Sequence, residues 1–191
     1  DGEVIGFSLG GAEVTEVLKN SLARGLDSAV HLTDELFIGL DPLSTSSCLA
    51  AAIKDQNFDI ILCGQQGVGG DNNQVASILA ELLNLPQVNQ IVKLDIEQDK
   101  FTAEREIEGA REVVSGNLPA IFSAQKDLNT PRYPSIKEIM AAKRKEVITK
   151  NAQDLGIAND ISETKNLVVL TELNLPPARL KEEKLKAMSM R

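Results

Sequence analysis

Tryptophan is absent from the 191 residues, tyrosine occurs once, and aromatic residues make up 3% of the chain. A chain this poor in aromatics offers no stacking platform for nucleic-acid bases. Its formal charge of −8 also argues against nucleic acid as a main partner. Histidine occurs once, at His31, which excludes a multi-histidine metal site. It stands in the apolar run Ala29-Val30-His31-Leu32 and reads as a strand residue rather than a base. The two cysteines, Cys48 and Cys63, form no disulfide framework or metal spacing and are expected as buried free thiols. No apolar run approaches the roughly 20 residues of a transmembrane helix, so no membrane insertion is expected. No secretory signal is visible.

What remains is ordinary: 42% hydrophobic and 25% charged residues, with length enough for one cored domain or a domain plus an extension. Basic residues gather late, at Lys143-Arg144-Lys145 and from Lys181 to Lys186, and read as solvated faces. The most informative stretch runs from Asp59 to Leu83. Ile60-Ile61-Leu62-Cys63 has the look of a buried parallel strand. Gly64-Gln65-Gln66-Gly67-Val68-Gly69-Gly70 follows, then Asp71, Asn72 and Asn73, expected as helix caps. Gln74 leads into Val75, Ile78, Leu79, Leu82 and Leu83 at helical spacing. Strand, glycine loop and helix start together can seat a phosphate. Glycine lets the backbone approach an anion, and the first helical N–H groups lack partners. The loop matches neither the Walker pattern nor a clean dinucleotide fingerprint. Two readings stand on these residues alone: a phosphate cradle, or a glycine-rich turn that binds nothing.

The rest of the first half alternates. Val4–Leu9, Ser28–Thr33 and Asp59–Cys63 read as strands. Ala12–Ala23, a stretch capped by Ser44 to Ser47 and running to Ile53, and Asn73–Leu83 read as helices. The pattern predicts an α/β fold with a parallel sheet flanked by helices. After Pro86, Gln90–Ile96, Phe101–Ile107 and Arg111–Ser115 read as added antiparallel strands, dense in charge at Glu104-Arg105-Glu106. That charge suits an exposed edge or a polar network at a subunit contact. Leu118–Ser123 is another strand. Two prolines bracket Arg132 and Tyr133, and Ser135 can cap a helix over Ile136–Lys143. Residues 151–191 read as an extension with one strand, Leu167–Leu170, whose few apolar residues are expected to dock on something.

In this order the stretches resemble the β subunit of electron transfer flavoprotein. Gly64 to Val75 is similar to that family's AMP-binding segment. Arg105-Glu106-Ile107-Glu108-Gly109 with Leu118-Pro119-Ala120 is similar to its signature. Asn129 to Ser135 with Ile139 to Lys143, and Pro176-Pro177-Ala178-Arg179, complete the likeness. The resemblance implies an adenine-nucleotide α-hydrolase-like fold over residues 1–150 and a recognition-loop extension over 151–191. It implies no catalytic residues of the chain's own. It implies structural AMP contacting Leu9, Gly64, Gln65, Gln66, Gly67, Val68, Gly69, Gly70, Asp71, Asn72, Asn73, Gln74 and Val75. It further implies FAD held mainly by an α subunit, and electron flow from acyl-CoA-type dehydrogenases to a quinone oxidoreductase. Leu155, with Ile157 next, becomes the docking anchor. The compartment is cytoplasmic for a bacterial chain and the mitochondrial matrix for a eukaryotic one.

The chain begins with Asp1, and the family's first strand and helix, which complete the adenine pocket, are expected to be missing. Where the family has an acidic run, Gly69-Gly70-Asp71 stands here. An ATP pyrophosphatase needs loop serines that Gly67 to Asn72 lack. A free-standing universal-stress module needs a second glycine- and serine-rich loop. A bifurcating member holds FAD in place of AMP; Asn73-Gln74 leans toward AMP.

Overall fold

Parallel strands dominate the fold, but in two ladders. The structure, a computed structural model, describes residues 2–126, 128–163, 166–168 and 171–177. The chain runs β1 (Ile5–Leu9), α1 (Val14–Ala23), β2 (Ser28–Leu32), a 3-10 turn (Glu35–Phe37), α2 (Pro42–Ile53), β3 (Ile60–Gly64) and α3 (Val75–Leu83). It continues through β4 (Gln87–Glu97), β5 (Lys100–Ile107), β6 (Ala110–Asn117), β7 (Ala120–Ala124), α4 (Ile136–Arg144), β8 (Val147–Lys150) and α5 (Ala158–Glu163). One ladder is parallel throughout, in the order β1-β2-β8. The other has the order β3-β7-β4-β5-β6, parallel from β3 to β4 and antiparallel beyond. The α/β class therefore holds, with its antiparallel addition. Its parallel strands are hydrogen-bonded in two groups: among the described residues β1 bonds β2 alone and β3 bonds β7 alone.

Helix α2 ties the ladders together. Phe7 of β1 and Leu49 of α2 pack both against the cluster of Val30, Leu32, Phe37, Cys48 and Ala52 and against that of Ala50, Ile53, Leu79 and Ile121. A third cluster, with Val88, Ile91, Phe101, Ala103 and Phe122, lies under the antiparallel strands. There Phe101 and Phe122 meet edge to face at 4.9 Å. Such pairs add about 0.5–1.5 kcal/mol beyond the area they bury.

Several boundaries differ from the sequence expectation, each for a local reason. Helix α2 starts at Pro42 and is capped by Asp41, not by the serine run. Proline's fixed φ suits a first helical position, and Asp41 Oδ1 accepts the Ser44 N–H at 2.8 Å. Ser44 and Ser46 are buried within the helix. Strand β8 and helix α5 were not anticipated. Leu167 and Val168 are not in a strand, and Val169 and Leu170 lie outside the described residues, as do Ala178, Arg179 and the basic run from Lys181 to Lys186. The segment after Lys150 is not left without a core. Ala152 is fully buried and Ile161 is 8% exposed, both in the cluster with Val30 and Leu32.

Asp41 also holds the later chain. Its Oδ2 accepts N–H bonds from Leu167 at 2.7 Å and Val168 at 3.3 Å, while Asn166 Oδ1 accepts the Asp41 N–H. The Ser44 N–H first, then the Leu167 and Val168 N–H groups, hold this carboxyl below its ordinary value of 3.8 against the opposing effect of burial. A depressed carboxylate adds stability that is present above the unfolded pKa and lost as pH falls through the folded one. Asp41→Ala should cost about 2 kcal/mol at neutral pH, from a lost cap and orphaned N–H groups. Thermal melts should then show a fall of roughly 4–8 °C. The difference from wild type should begin to shrink as pH falls below 3.8, where the unfolded chain's carboxylate protonates, and should vanish once pH passes the lower folded value.

Candidate functional site

Strand β3 delivers the chain into the glycine loop at Gly64, and the loop is tied to β7 by the Gln65 N–H donating to Ala124 O at 3.1 Å. The loop folds back on itself through left-handed residues: Gly69 at φ +90°, Asp71 at +46° and Asn73 at +50°. This brings the Asp71 N–H to Gly67 O at 3.0 Å, and Gln66 Nε2 to Asp71 Oδ1 at 3.0 Å. Asp71, Asn72 and Asn73 are therefore not helix caps. Helix α3 begins at Val75 after Gln74, which makes no side-chain capping bond. With no side chain satisfying them, the first amides of α3 are open to a ligand. The amides of Gly70, Asn72, Asn73 and Gln74 donate to no backbone acceptor among the described residues. Gln66 to Asn72 are exposed, with Val68 fully so.

The glycines separate into two kinds. Gly69 is required by its own backbone angle. Gly64, Gly67 and Gly70 have no such angle. A Cβ at Gly64 or Gly67 would meet nothing within 4 Å, and one at Gly70 only Asn72 Nδ2 at 3.7 Å. Nothing in this chain's packing requires glycine at those three positions. They leave open space in the same loop as the amides that donate to no backbone acceptor.

The other sequence candidates lie elsewhere. Leu9 ends β1 and packs, half-buried, against the cluster of Val30, Leu32 and Cys48. His31 is buried and structural: Nε2 donates to Gly10 O at 3.0 Å, which leaves Nδ1 to accept the Thr15 hydroxyl at 3.3 Å. Burial pushes the Cys48 thiol up to about 11 and raises that of Cys63, which is half-buried on β3. Leu155 and Ile157 are half-buried and pack against the same cluster as Leu9. Their loop is pinned by Asp34, whose Oδ1 caps the 3-10 turn at Leu36 N–H and whose Oδ2 accepts the Ala152 N–H, each at 3.0 Å. Asn151 and Asp154 close it with reciprocal 2.9 Å bonds. Asp34 and Asp41 escaped the sequence reading. The Asp41-Pro42 pair, an N-cap before a first-turn proline, is the signal that could have found the second.

A parallel strand, a glycine loop and an uncapped helix start are the parts of an α/β domain. Residues 1–155 match the family described as electron transfer flavoprotein domain, and the chain belongs to that family. Within it the likeness is to the β subunits. The chain is 41% identical to electron transfer flavoprotein subunit beta of Thermoanaerobacterium thermosaccharolyticum over 157 residues, 82% of this chain and 60% of that one. It is 38% identical to the Bacillus subtilis subunit beta over 180 residues, 93% and 69% of the two chains. It is 37% identical over 157 residues to caffeyl-CoA reductase-Etf complex subunit CarD of Acetobacterium woodii, 82% and 60% of the two. The chain thus spans 60% of the length of the first of these relatives.

Alanine substitutions test the division among the glycines. Gly64→Ala and Gly67→Ala should leave the melting temperature within about 1 °C of wild type, because their Cβ atoms enter open space. Gly69→Ala should lower it by roughly 2–4 °C, the cost of about 1 kcal/mol for a side chain in a left-handed conformation.

Proposed function

We propose that the chain is the nucleotide-holding part of the β subunit of a heterodimeric electron transfer flavoprotein. In this reading it binds AMP structurally, and the redox FAD rests mainly on the α subunit. Electrons pass from acyl-CoA-type dehydrogenases to a quinone oxidoreductase without catalytic residues of the chain's own. The observation that carries the nucleotide is a loop with three glycines that packing does not require and with amides that donate to no backbone acceptor. The phosphate is taken by the N–H groups of Gly70 and of Asn72 to Val75, the Asp71 N–H being spent on Gly67 O, with α3's positive end adding to its field. The base rests near Gly64 to Gly67, while Leu9 is spent on the core of Val30 and Leu32. Electron transfer flavoproteins in general supply flavin chemistry; this chain's residues bind and orient.

Gly70→Val tests the site, because a branched side chain blocks backbone approach to an anion. Protein co-purified with its α subunit should lose most of its AMP while keeping its flavin spectrum. Unchanged AMP content overturns the assignment. The likeness to a caffeyl-CoA reductase-Etf subunit supports a second reading, with FAD in the same loop. Mass spectrometry of the released nucleotide separates the two.

In the same proposal Leu155 docks the dehydrogenase. Because it is half-buried against the chain's own core, Leu155→Ala should have two effects. It should lower stability by about 1–2 kcal/mol and slow electron transfer at subsaturating dehydrogenase roughly tenfold. A variant with the stability loss and an unaltered transfer rate makes Leu155 a core residue alone.

A further inference from the structure

Beyond β8 the chain builds a small unit of its own. Asn151 and Asp154 accept each other's N–H groups, the Leu155 N–H donates to Asn151 O and the Ile157 N–H to Ala152 O. Gly156 turns the backbone at φ +70°. Helix α5 follows, with the Ile161 N–H on Ile157 O. These bonds are all local in sequence, and the unit joins no strand ladder among the described residues. A segment of this kind can open by itself while the ladders stay folded.

Its hold on the domain is of two kinds. The first is apolar: Ala152 and Ile161, with Leu155, Ile157 and Ala158, pack on the cluster of Val30, Leu32, Phe37 and Cys48. Cys48 is fully buried there. The second is polar and falls on one short stretch. Asp34 Oδ2 accepts the Ala152 N–H at 3.0 Å. Asp41 Oδ2 accepts the Leu167 and Val168 N–H groups. Asn166 Oδ1 accepts the Asp41 N–H at 3.1 Å, and Asn166 Nδ2 donates to Gly39 O at 2.7 Å. Both ends of the later segment therefore land within residues 34–41, the connection between β2 and α2. Each carboxylate divides its oxygens between two tasks. Oδ1 of Asp34 caps the 3-10 turn and Oδ1 of Asp41 caps α2, while Oδ2 of each holds the later chain.

We infer that residues 151–163 and 166–168 form a strap, latched at both ends by Asp34 and Asp41, that opens and closes as one unit while the two ladders stay intact. Closed, it hides the Cys48 thiol and one side of the cluster with Val30 and Leu32. Open, it uncovers both. The apolar cover lies between the two latches in sequence, so losing either end loosens the residues that hold the other. Both latches are charge-assisted bonds, stronger than neutral ones, yet breaking them disturbs no ladder. The strap stands apart from the nucleotide reading, since none of its groups belongs to the glycine loop.

Asparagine separates the two tasks of each carboxylate. It caps as well as aspartate does, but it turns an NH2 group toward the strap's N–H donors. In the full chain, Asp34→Asn and Asp41→Asn should each speed amide exchange about 10- to 100-fold, the effect of losing bonds to a charged acceptor. The rise should appear at Ala152 and at Leu167 and Val168 together in either variant. Alkylation of Cys48 by iodoacetamide should rise by a similar factor, while Cys63, packed on the cluster of Ile53 and Leu79, keeps its rate. Asn166→Ala leaves both caps in place and should open the strap from its own side. Exchange in β1, β2 and α2 should stay at the wild-type rate in all three variants. Faster exchange confined to the substituted end makes the latches two independent contacts and overturns the proposal. So does Cys48 alkylation at the wild-type rate, and so does an equal rise across the ladders, which is global unfolding and leaves no separate strap.

Discussion

The fold depends on helix α2 being thin. Among the described residues no ladder joins β1 to β3, so the two sheets meet through side chains. α2 buries Ser44, Ser46, Cys48, Ala50, Ala52 and Ile53. Apart from Ile53 these are small residues, and they let the helix sit close to both sheets at once. Ser46 shows how its polarity is managed. Its hydroxyl donates to Pro42 O at 2.7 Å, within the helix, with Val75 O of α3 a longer second acceptor at 3.4 Å. Leu49 and Phe7 then bridge the two clusters. A larger residue on α2 would push the sheets apart and move the glycine loop relative to β1.

The glycine loop shows where physical reasoning on a sequence stops. Four glycines in seven residues are compatible with a turn and with an anion site, and composition does not separate them. Backbone angle and free space do. One glycine, Gly69, serves the loop's own conformation; Gly64, Gly67 and Gly70 serve nothing within the chain. The sequence made the strand and the helix on either side legible because their apolar periods are long and regular. It misplaced the helix start because Asp71 and Asn73 are good caps and also tolerate left-handed φ. Here the second property won: Asp71 and Asn73 take left-handed φ, and the loop folds back to place Asp71 N–H on Gly67 O.

Other gaps have similar causes. Strand β8 has four residues, two of them exposed, and gives no apolar run to read. It is made by its parallel ladder with β2, a contact more than a hundred positions away in sequence. The expectation of strand β3 as buried on both faces failed because Leu62 is 61% exposed. An apolar run records what a strand is built to bury, and β3 carries more of it than these residues cover. The antiparallel strands were found readily, since Gln98-Asp99 and Glu108-Gly109 mark two-residue turns in the ladder.

The titratable groups with shifted pKa values point the same way as the loop. Asp34 and Asp41 are held low mainly by backbone N–H groups at helix and turn starts, and Glu138 by its capping box. Lys93 is held high by Asp95 and Glu104 on an exposed sheet face. Each of these shifts is accounted for by a bond that fixes backbone or pairs surface charge. The two cysteines shift upward, away from the thiolate that would react. What the described residues leave open is a set of backbone amides between Gly70 and the start of α3.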